Sequence, residues 1–199
     1  MVQRSVRLES TALTGVPFAL CRTRGSVDVH GLYRYDIELA IDEPASLRDR
    51  ELWKSRATLV FTTDGEETSV HGMVAEISQV QRADLDGISL RLAVVPRIWE
   101  LTWSTARGTF LDRTVPELVV QKLVAAGFKE ADDFLLRLRR EHRPRERLVQ
   151  HDRSDFDFVQ ELCKLAGLSF SFTHGDGRDV LILSDAEGAL PEGTPSGRR

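Results

Sequence analysis

The first half of the chain carries a regular alternation of apolar and polar positions. Tyr33, Tyr35, Ile37, Leu39 and Ile41 are interleaved with Arg34, Asp36 and Glu38, the period of two that turns one face of a β-strand to a core. Thr58 to Thr63 runs into Asp64-Gly65, and Ser69 to Val80 follows with Met73, Ala75 and Ile77 on one face, so the pattern predicts a hairpin. Asp86-Gly87 marks a similar turn before Ile88 to Val95, where Leu90, Leu92 and Val94 share a side. Short strands at near-regular spacing favour an antiparallel barrel or sandwich, because a parallel sheet needs helices between its strands. The predicted β unit spans residues 5–95.

Beyond Pro96 the pattern changes period. Thr114-Val115-Pro116-Glu117 sets a capping hydroxyl three residues before a carboxylate, and Val119, Leu123 and Ala126 recur at helical spacing up to Gly127. One helix is predicted at about 115–126. Ser154-Asp155-Phe156-Asp157 repeats this grammar, with Phe158, Leu162 and Leu165 leading to a left-handed stop at Gly167, which predicts a second helix at about 154–166. Leu168 to His174 and Val180 to Leu183, joined by Gly175-Asp176-Gly177, predict one more hairpin over 168–183. Residues 186–199 have no apolar periodicity and read as a flexible tail. The expected fold class is α+β, mainly antiparallel β: an N-terminal β-barrel, a helical linker region within 96–185, and the start of a second β unit. A lone hairpin is not stable by itself, so either the helix at 154–166 covers it or another chain completes the sheet.

Composition narrows the function more than the fold. The chain has 199 residues, 41% of them hydrophobic and 29% charged, enough for one or two ordinary globular domains. No run approaches the roughly 18 apolar residues of a membrane span, and MVQRSVRLES lacks the apolar stretch of a secretory signal. Synthesis in the cytosol with no stable membrane anchor is expected. Cys21 and Cys163 are far apart and form neither a CxxC pair nor a Cys/His cluster. The net charge of −4 gives the molecule no reason to seek nucleic acid, yet it is unevenly spread. Residues 137–147 hold six arginines against two glutamates, a local +4 that leaves −8 for the rest. Lysine occurs only at 54, 122, 129 and 164, so 23 of the 27 cationic side chains are arginine.

Candidate chemistry is sparse. Histidines at 30, 71, 142, 151 and 174 fit no metal-ligand spacing, and His30 and His71 sit in predicted strands beside glycines, where a backbone approaches closely. Asp152, Asp155 and Asp157 invite a general acid/base reading, but the last two fall in the first turn of a predicted helix, where the dipole favours negative charge. Asp176 and Asp179 resemble part of a calcium loop without its other ligands, and a hairpin turn accounts for them. No phosphate-binding GxxxxGK[ST] or GxSxG is present. No catalytic, cofactor or metal site is therefore expected. The basic segment supports a nucleic-acid-binding reading only weakly, since it has no interleaved aromatics and contains Pro144. Arg137, Arg139, Arg140 and Arg143 read better as interface charges that pair acidic patches on a partner subunit.

One family grammar is visible in these residues. Val95-Pro96-Arg97-Ile98-Trp99 with Leu101, then Phe110, Asp112 and Val115-Pro116-Glu117-Leu118-Val119, resembles the linker and first helix of the valine-glycine repeat protein G (VgrG) family, which forms the spike of bacterial type VI secretion systems. More specific are Gln150, Ser154, Asp155 and Phe158, followed by Leu162, Gly167, Phe172 and Asp185, in the fixed order of cap, aromatic helix start, glycine stop and hairpin. His151 replaces the family's usual tyrosine, Arg153 its usual glutamate, and Glu161 its usual arginine. The resemblance covers about residues 5–185. It implies a tail-hub-like structural protein, homotrimeric in a longer form that continues into a second barrel, a neck and a needle. On that likeness the hub seats rings of the sixfold tube protein Hcp on a threefold spike, meets baseplate proteins, helps deliver effectors, and is exported by the apparatus without a signal peptide. The hub of a phage-like or extracellular contractile injection system is the alternative within this class.

Overall fold

The computed structural model describes residues 4–27, 31–41, 49–80 and 88–186. The Asp86-Gly87 turn, His30 and the tail from residue 187 onward lie outside the described residues. The chain forms two compact units, Met1–Arg97 with His174–Asp179, and Ile98–Thr173 with Val180–Arg199.

The first unit is a single six-stranded sheet. Its strands are β1 (Arg4–Glu9), β2 (Phe18–Val27), β3 (Tyr33–Ile41), β4 (Arg56–Thr63), β5 (Glu66–Val80) and β6 (Ile88–Val95), in the order β1-β4-β5-β6-β3-β2 with antiparallel ladders. The edge strands β1 and β2 lie beside each other without a ladder, so the sheet nearly closes on itself. Register shifts at Leu20/Arg22 and Val74/Glu76 are bulges, which add the local bend that such closure requires. The hairpin between β4 and β5 turns at Asp64 (φ 52°) and Gly65 (φ 89°), the two positive-φ positions of a primed turn.

Ile37, Leu39, Ile41, Leu59, Leu92 and Val94 are almost fully enclosed and form the barrel core. Burial does not alternate everywhere: Val70 to Ala75 and Leu92 to Val95 are buried without interruption, which means both faces of the sheet are covered there. A short helix, α1 (Asp49–Leu52), packs on β5, and the Trp53 indole donates to the Ala75 carbonyl at 3.2 Å.

In the second unit, α2 (Val115–Ala125) starts with the predicted box, Glu117 N–H donating to Thr114 Oγ1 while Thr114 N–H donates to Glu117 Oε2. A further helix, α3 (Asp155–Ala166), is capped by Ser154 and ends at Gly167 with φ 64°. Asp157 does not complete a second box. Its carboxylate accepts from the Ser154 hydroxyl at 2.7 Å instead of from a backbone N–H.

Three strands lie where the pattern predicts none. β7 (Thr105–Arg113) and β9 (Arg145–Ser154) form an antiparallel ribbon, and β8 (Phe134–Arg137) pairs in parallel with β11 (Arg178–Ser184), the second strand of the terminal hairpin whose first is β10 (Ser169–Gly175). The missing support of that hairpin is thus a strand of the same chain. β7 and β9 escaped the period-two test because polar residues occupy most positions on both faces. His174 lies within β10, and Asp176 (φ 50°) and Gly177 (φ 73°) make the turn.

Gly72 of β5 illustrates how tightly the barrel closes. A Cβ there would stand 2.6 Å from the Val95 carbonyl oxygen and 3.0 Å from a Val94 methyl. Backbone cannot yield as a side-chain tip does, so Gly72→Ala is expected to lower stability by about 1–3 kcal/mol. Chemical denaturation of the two proteins measures it, and an unchanged midpoint would show that the strands separate freely.

Candidate functional site: an aspartate clasp and an arginine-rich edge

The second unit is organised around the carboxylate of Asp155. Placing it at the first position of α3 puts negative charge at the helix N-terminus, where the dipole favours it. Three side chains from other segments reach it: Lys122 of α2 at 2.6 Å, Gln150 of β9 at 2.9 Å and Ser104 at 2.7 Å. The Asp155 N–H donates to the Ser104 carbonyl at 3.0 Å. Burial alone would raise this carboxyl, but the hydrogen bonds from Lys122, Gln150 and Ser104 together with the Lys122 charge outweigh it and hold the group below its usual range. The Lys122 ammonium also lies over the rings of Phe110 and Phe158, 5.6 and 5.8 Å from their centroids, and those rings stack at 5.8 Å. Phe110, Gln150, Ser154, Asp155 and Phe158, scattered over nearly fifty residues, thus meet in one place.

A second carboxylate gathers the other end of the predicted signature. Asp185, its side chain wholly enclosed, accepts from the backbone N–H groups of Arg139 (2.8 Å) and Arg140 (2.9 Å) and contacts His142 Nε2 at 3.1 Å. Burial pushes its carboxyl up, and these hydrogen bonds with the Arg140 charge overcome that and hold it at about 2. Arg140 also donates to the Gly167 carbonyl at 3.0 Å, satisfying the C-terminus of α3. Arg140 is therefore tied into the fold, while its side chain stays 57% exposed. Arg137 ends β8, Arg143 lies in the loop before β9, and Arg139 contributes its backbone.

The remaining signature residues do not join either cluster. Pro96 is buried beyond β6, Trp99 is half-buried in a 3-10 turn (Arg97–Trp103), Leu162 is enclosed in α3, and Phe172 is half-buried in β10. Lys122, Ser104 and His142 were missed by the sequence reading. The available signal was the rarity of lysine, one of only four, placed on a helix whose other polar side chains are Glu117 and Gln121.

The first unit holds a polar cluster of its own. His71 N–H donates to His174 Nδ1 at 3.1 Å, Thr58 Oγ1 lies 2.9 Å from His71 Nδ1, and the Tyr33 hydroxyl donates to the His71 carbonyl. Burial and the neighbouring His71 hold His174 down at about 4, and burial lowers His71 as well. Asp179 accepts from Arg97 N–H at 2.9 Å, and burial raises its carboxyl.

The three carboxylates read as acid/base candidates each have a partner within the fold. Asp152 is paired with Arg107, Asp157 with Ser154, and Asp155 with three donors, so each carboxylate is already committed. Burial pushes the Cys163 thiol up to about 12, which leaves it protonated and unreactive. Among the described residues no group of His, Cys, Asp or Glu is arranged to hold a metal ion, and no helix is long and apolar enough to cross a membrane.

Two outcomes are expected from this geometry. Asp155→Asn strands a mostly buried ammonium and should cost about 1–3 kcal/mol, and Lys122→Met in the same protein should restore part of it. Equal, additive losses in a double-mutant cycle would show that the two side chains do not interact. Acid should also destabilise the barrel unit. With His174 held near 4 in the fold against 6.5 unfolded, the unfolded chain binds the proton first, so stability is complete above 6.5 and falls as pH drops toward 4. His71, also lowered by burial, adds to that fall, the raised Asp179 acts with opposite sign, and Asp185 brings a separate loss in the second unit between 3.8 and about 2. Solvent reaches part of His174 and screens its share. Denaturation midpoints across this range should flatten between pH 6.5 and 4 in His174→Gln, and an unchanged slope would exclude His174 as the source.

With the geometry in view, comparison with known proteins identifies the lineage. The model of the phage tail baseplate hub (GPD) family matches residues 28–199. The chain is 31% identical over 186 residues to the type VI secretion system spike protein VgrG1b of Pseudomonas aeruginosa and 32% identical over 170 residues to VgrG1c of the same organism. Those matches cover 94% and 85% of this chain but only 24% and 23% of the relatives, so the chain spans about a quarter of their length. Among solved structures, the E. coli c3393 protein, described as a type VI secretion component with structural similarity to the T4 bacteriophage tail proteins gp27 and gp5, shares the fold with a TM-score of 0.79 at 21% identity. That match covers 91% of this chain and 49% of the other. The chain belongs to the phage tail baseplate hub family.

Proposed function

We propose that this chain is the hub-forming part of a type VI secretion spike, a rigid structural adaptor and not an enzyme. In the longer form three copies make a ring that seats the sixfold Hcp tube on a threefold spike, meets the baseplate and helps carry effectors. It is assembled in the cytoplasm and leaves the cell with the apparatus. The observation that carries this reading is the use of the signature residues. Gln150, Ser154, Asp155 and Phe158 hold α2, α3 and the β7–β9 ribbon together, a structural use that supports a rigid adaptor. The six-stranded, nearly closed barrel of the first unit is the kind of repeating stave from which a ring is built. The hub of a phage-like contractile system shares this geometry and is the alternative, and neighbouring genes for sheath, tube and ATPase separate the two.

The test is a longer form that includes the second barrel. It should scatter light as a trimer and retain Hcp rings on a column. A stable monomer without affinity for the tube overturns the proposal.

A further inference from the structure

The outer side of the β7–β9 ribbon is a surface that folding does not explain. Phe110 turns inward to stack on Phe158, so its neighbours on either side, Thr109 and Leu111, turn outward. Thr109 stands opposite Val149, and Leu111 opposite Arg147. Leu111 is 59% exposed and Val149 43% exposed. One step along the ladder, Arg113 stands opposite Arg145, both exposed. Like charges in directly opposed positions destabilise a sheet. Arg143, Arg145 and Arg147 form no ion pair among the described residues, and Arg113 acts on Glu117 only through its charge.

At Arg145 the ribbon meets a cavity of about 450 Å³ whose lining also includes Arg143, Pro144, Leu165, Val115 and one acidic side chain, Glu141. Leu165 is half exposed at its rim. Arg145 belongs to both the cavity and the ribbon, so guanidinium groups and apolar side chains meet there. Among the described residues β7 and β9 pair only with each other, which leaves each with an edge free of described strand partners.

We propose that this surface binds an extended acidic segment of a partner protein, with apolar side chains set between its carboxylates. Guanidinium forks match carboxylates bidentately. Leu111, Val149 and Leu165 offer the apolar contacts, and a free strand edge offers main-chain hydrogen bonds to an extended chain. Nucleic acid fits less well, because no Phe, Tyr or Trp lines the cavity as a platform for base stacking. The surface is read from its own residues and stands whether or not the longer form is trimeric.

Fluorescence anisotropy on the 199-residue chain tests it, with a labelled peptide of about ten residues alternating Glu and Leu, the same peptide with Gln for Glu, and a single-stranded DNA of about ten nucleotides. The Glu peptide should bind saturably and weaken with added salt. The Gln peptide should bind about tenfold or more weakly, and the double variant Arg145→Glu/Arg147→Glu should lose the Glu peptide by at least a similar factor, the scale of a lost charge-assisted contact. Arg4→Glu, the same kind of charge reversal on the barrel, should bind as the parent does, and circular dichroism confirms that each variant is folded. Ser substitution at Leu111 and Val149 should also weaken the Glu peptide. No saturable binding, equal binding of the Glu and Gln peptides, indifference to Arg145→Glu/Arg147→Glu, or tighter binding of the DNA overturns the proposal.

Discussion

The ion pair between Asp155 and Lys122 is what the second unit depends on. Both side chains are mostly removed from water, 18% and 13% exposed, and such a pair usually regains little more than its desolvation cost. Here the carboxylate has two further donors, Gln150 and Ser104, and the ammonium has two aromatic faces, so neither charge is left half-satisfied. What the arrangement contributes is position. The segment before β7, α2, β9 and the start of α3 can share one carboxylate in only one register, and Phe110 can then lie flat on Phe158. Lysine suits the role because its flexible stem carries a compact charge past two rings, where a planar guanidinium would demand its own fork-shaped partner.

The same device recurs with backbone in place of side chains. Asp185 takes the N–H groups of Arg139 and Arg140, Asp133 takes that of Lys129, and Asp179 takes that of Arg97. Each of these carboxylates is buried, and each serves a stretch of chain outside regular strands whose amides have no ladder partner. Buried amides must be paired, and a short carboxylate supplies two acceptor oxygens where a turn cannot. These interior carboxylates are thus answered largely by backbone N–H groups.

Legibility in the sequence followed exposure. β3, β6 and the β4–β5 hairpin bury one face or both and show it in their spacing. The helices announce themselves through Thr114, Ser154 and Gly167, because caps are local chemistry. β7 and β9 were silent: β7 has its inward ring at Phe110 and β9 its enclosed side chain at Gln150, while polar residues fill most of the rest. β8 is four residues long and is made a strand by a partner more than forty residues away. Of the clasp, its acidic and aromatic members were visible as a signature, but their purpose was not. Asp155 in a first turn is already explained by the helix dipole, and nothing local indicates that Lys122 and Ser104 converge on it.

That distinction also separates the arginines, which the sequence presented as one basic run. Arg140 closes the end of α3 and approaches Asp185, so its charge is used within the fold. The interior carboxylates nearby are answered largely by backbone N–H groups, which leaves no internal demand for Arg143, Arg145 or Arg147. A sheet that nevertheless sets Arg145 against Arg113, beside a leucine and a valine turned to water, accepts a repulsion and an exposed apolar patch together. Either alone is an ordinary surface imperfection. Their coincidence on one ribbon, where folding gains from neither, is the pattern that contact with another protein would relieve on both counts, by supplying carboxylates and covering the apolar side chains at the same time.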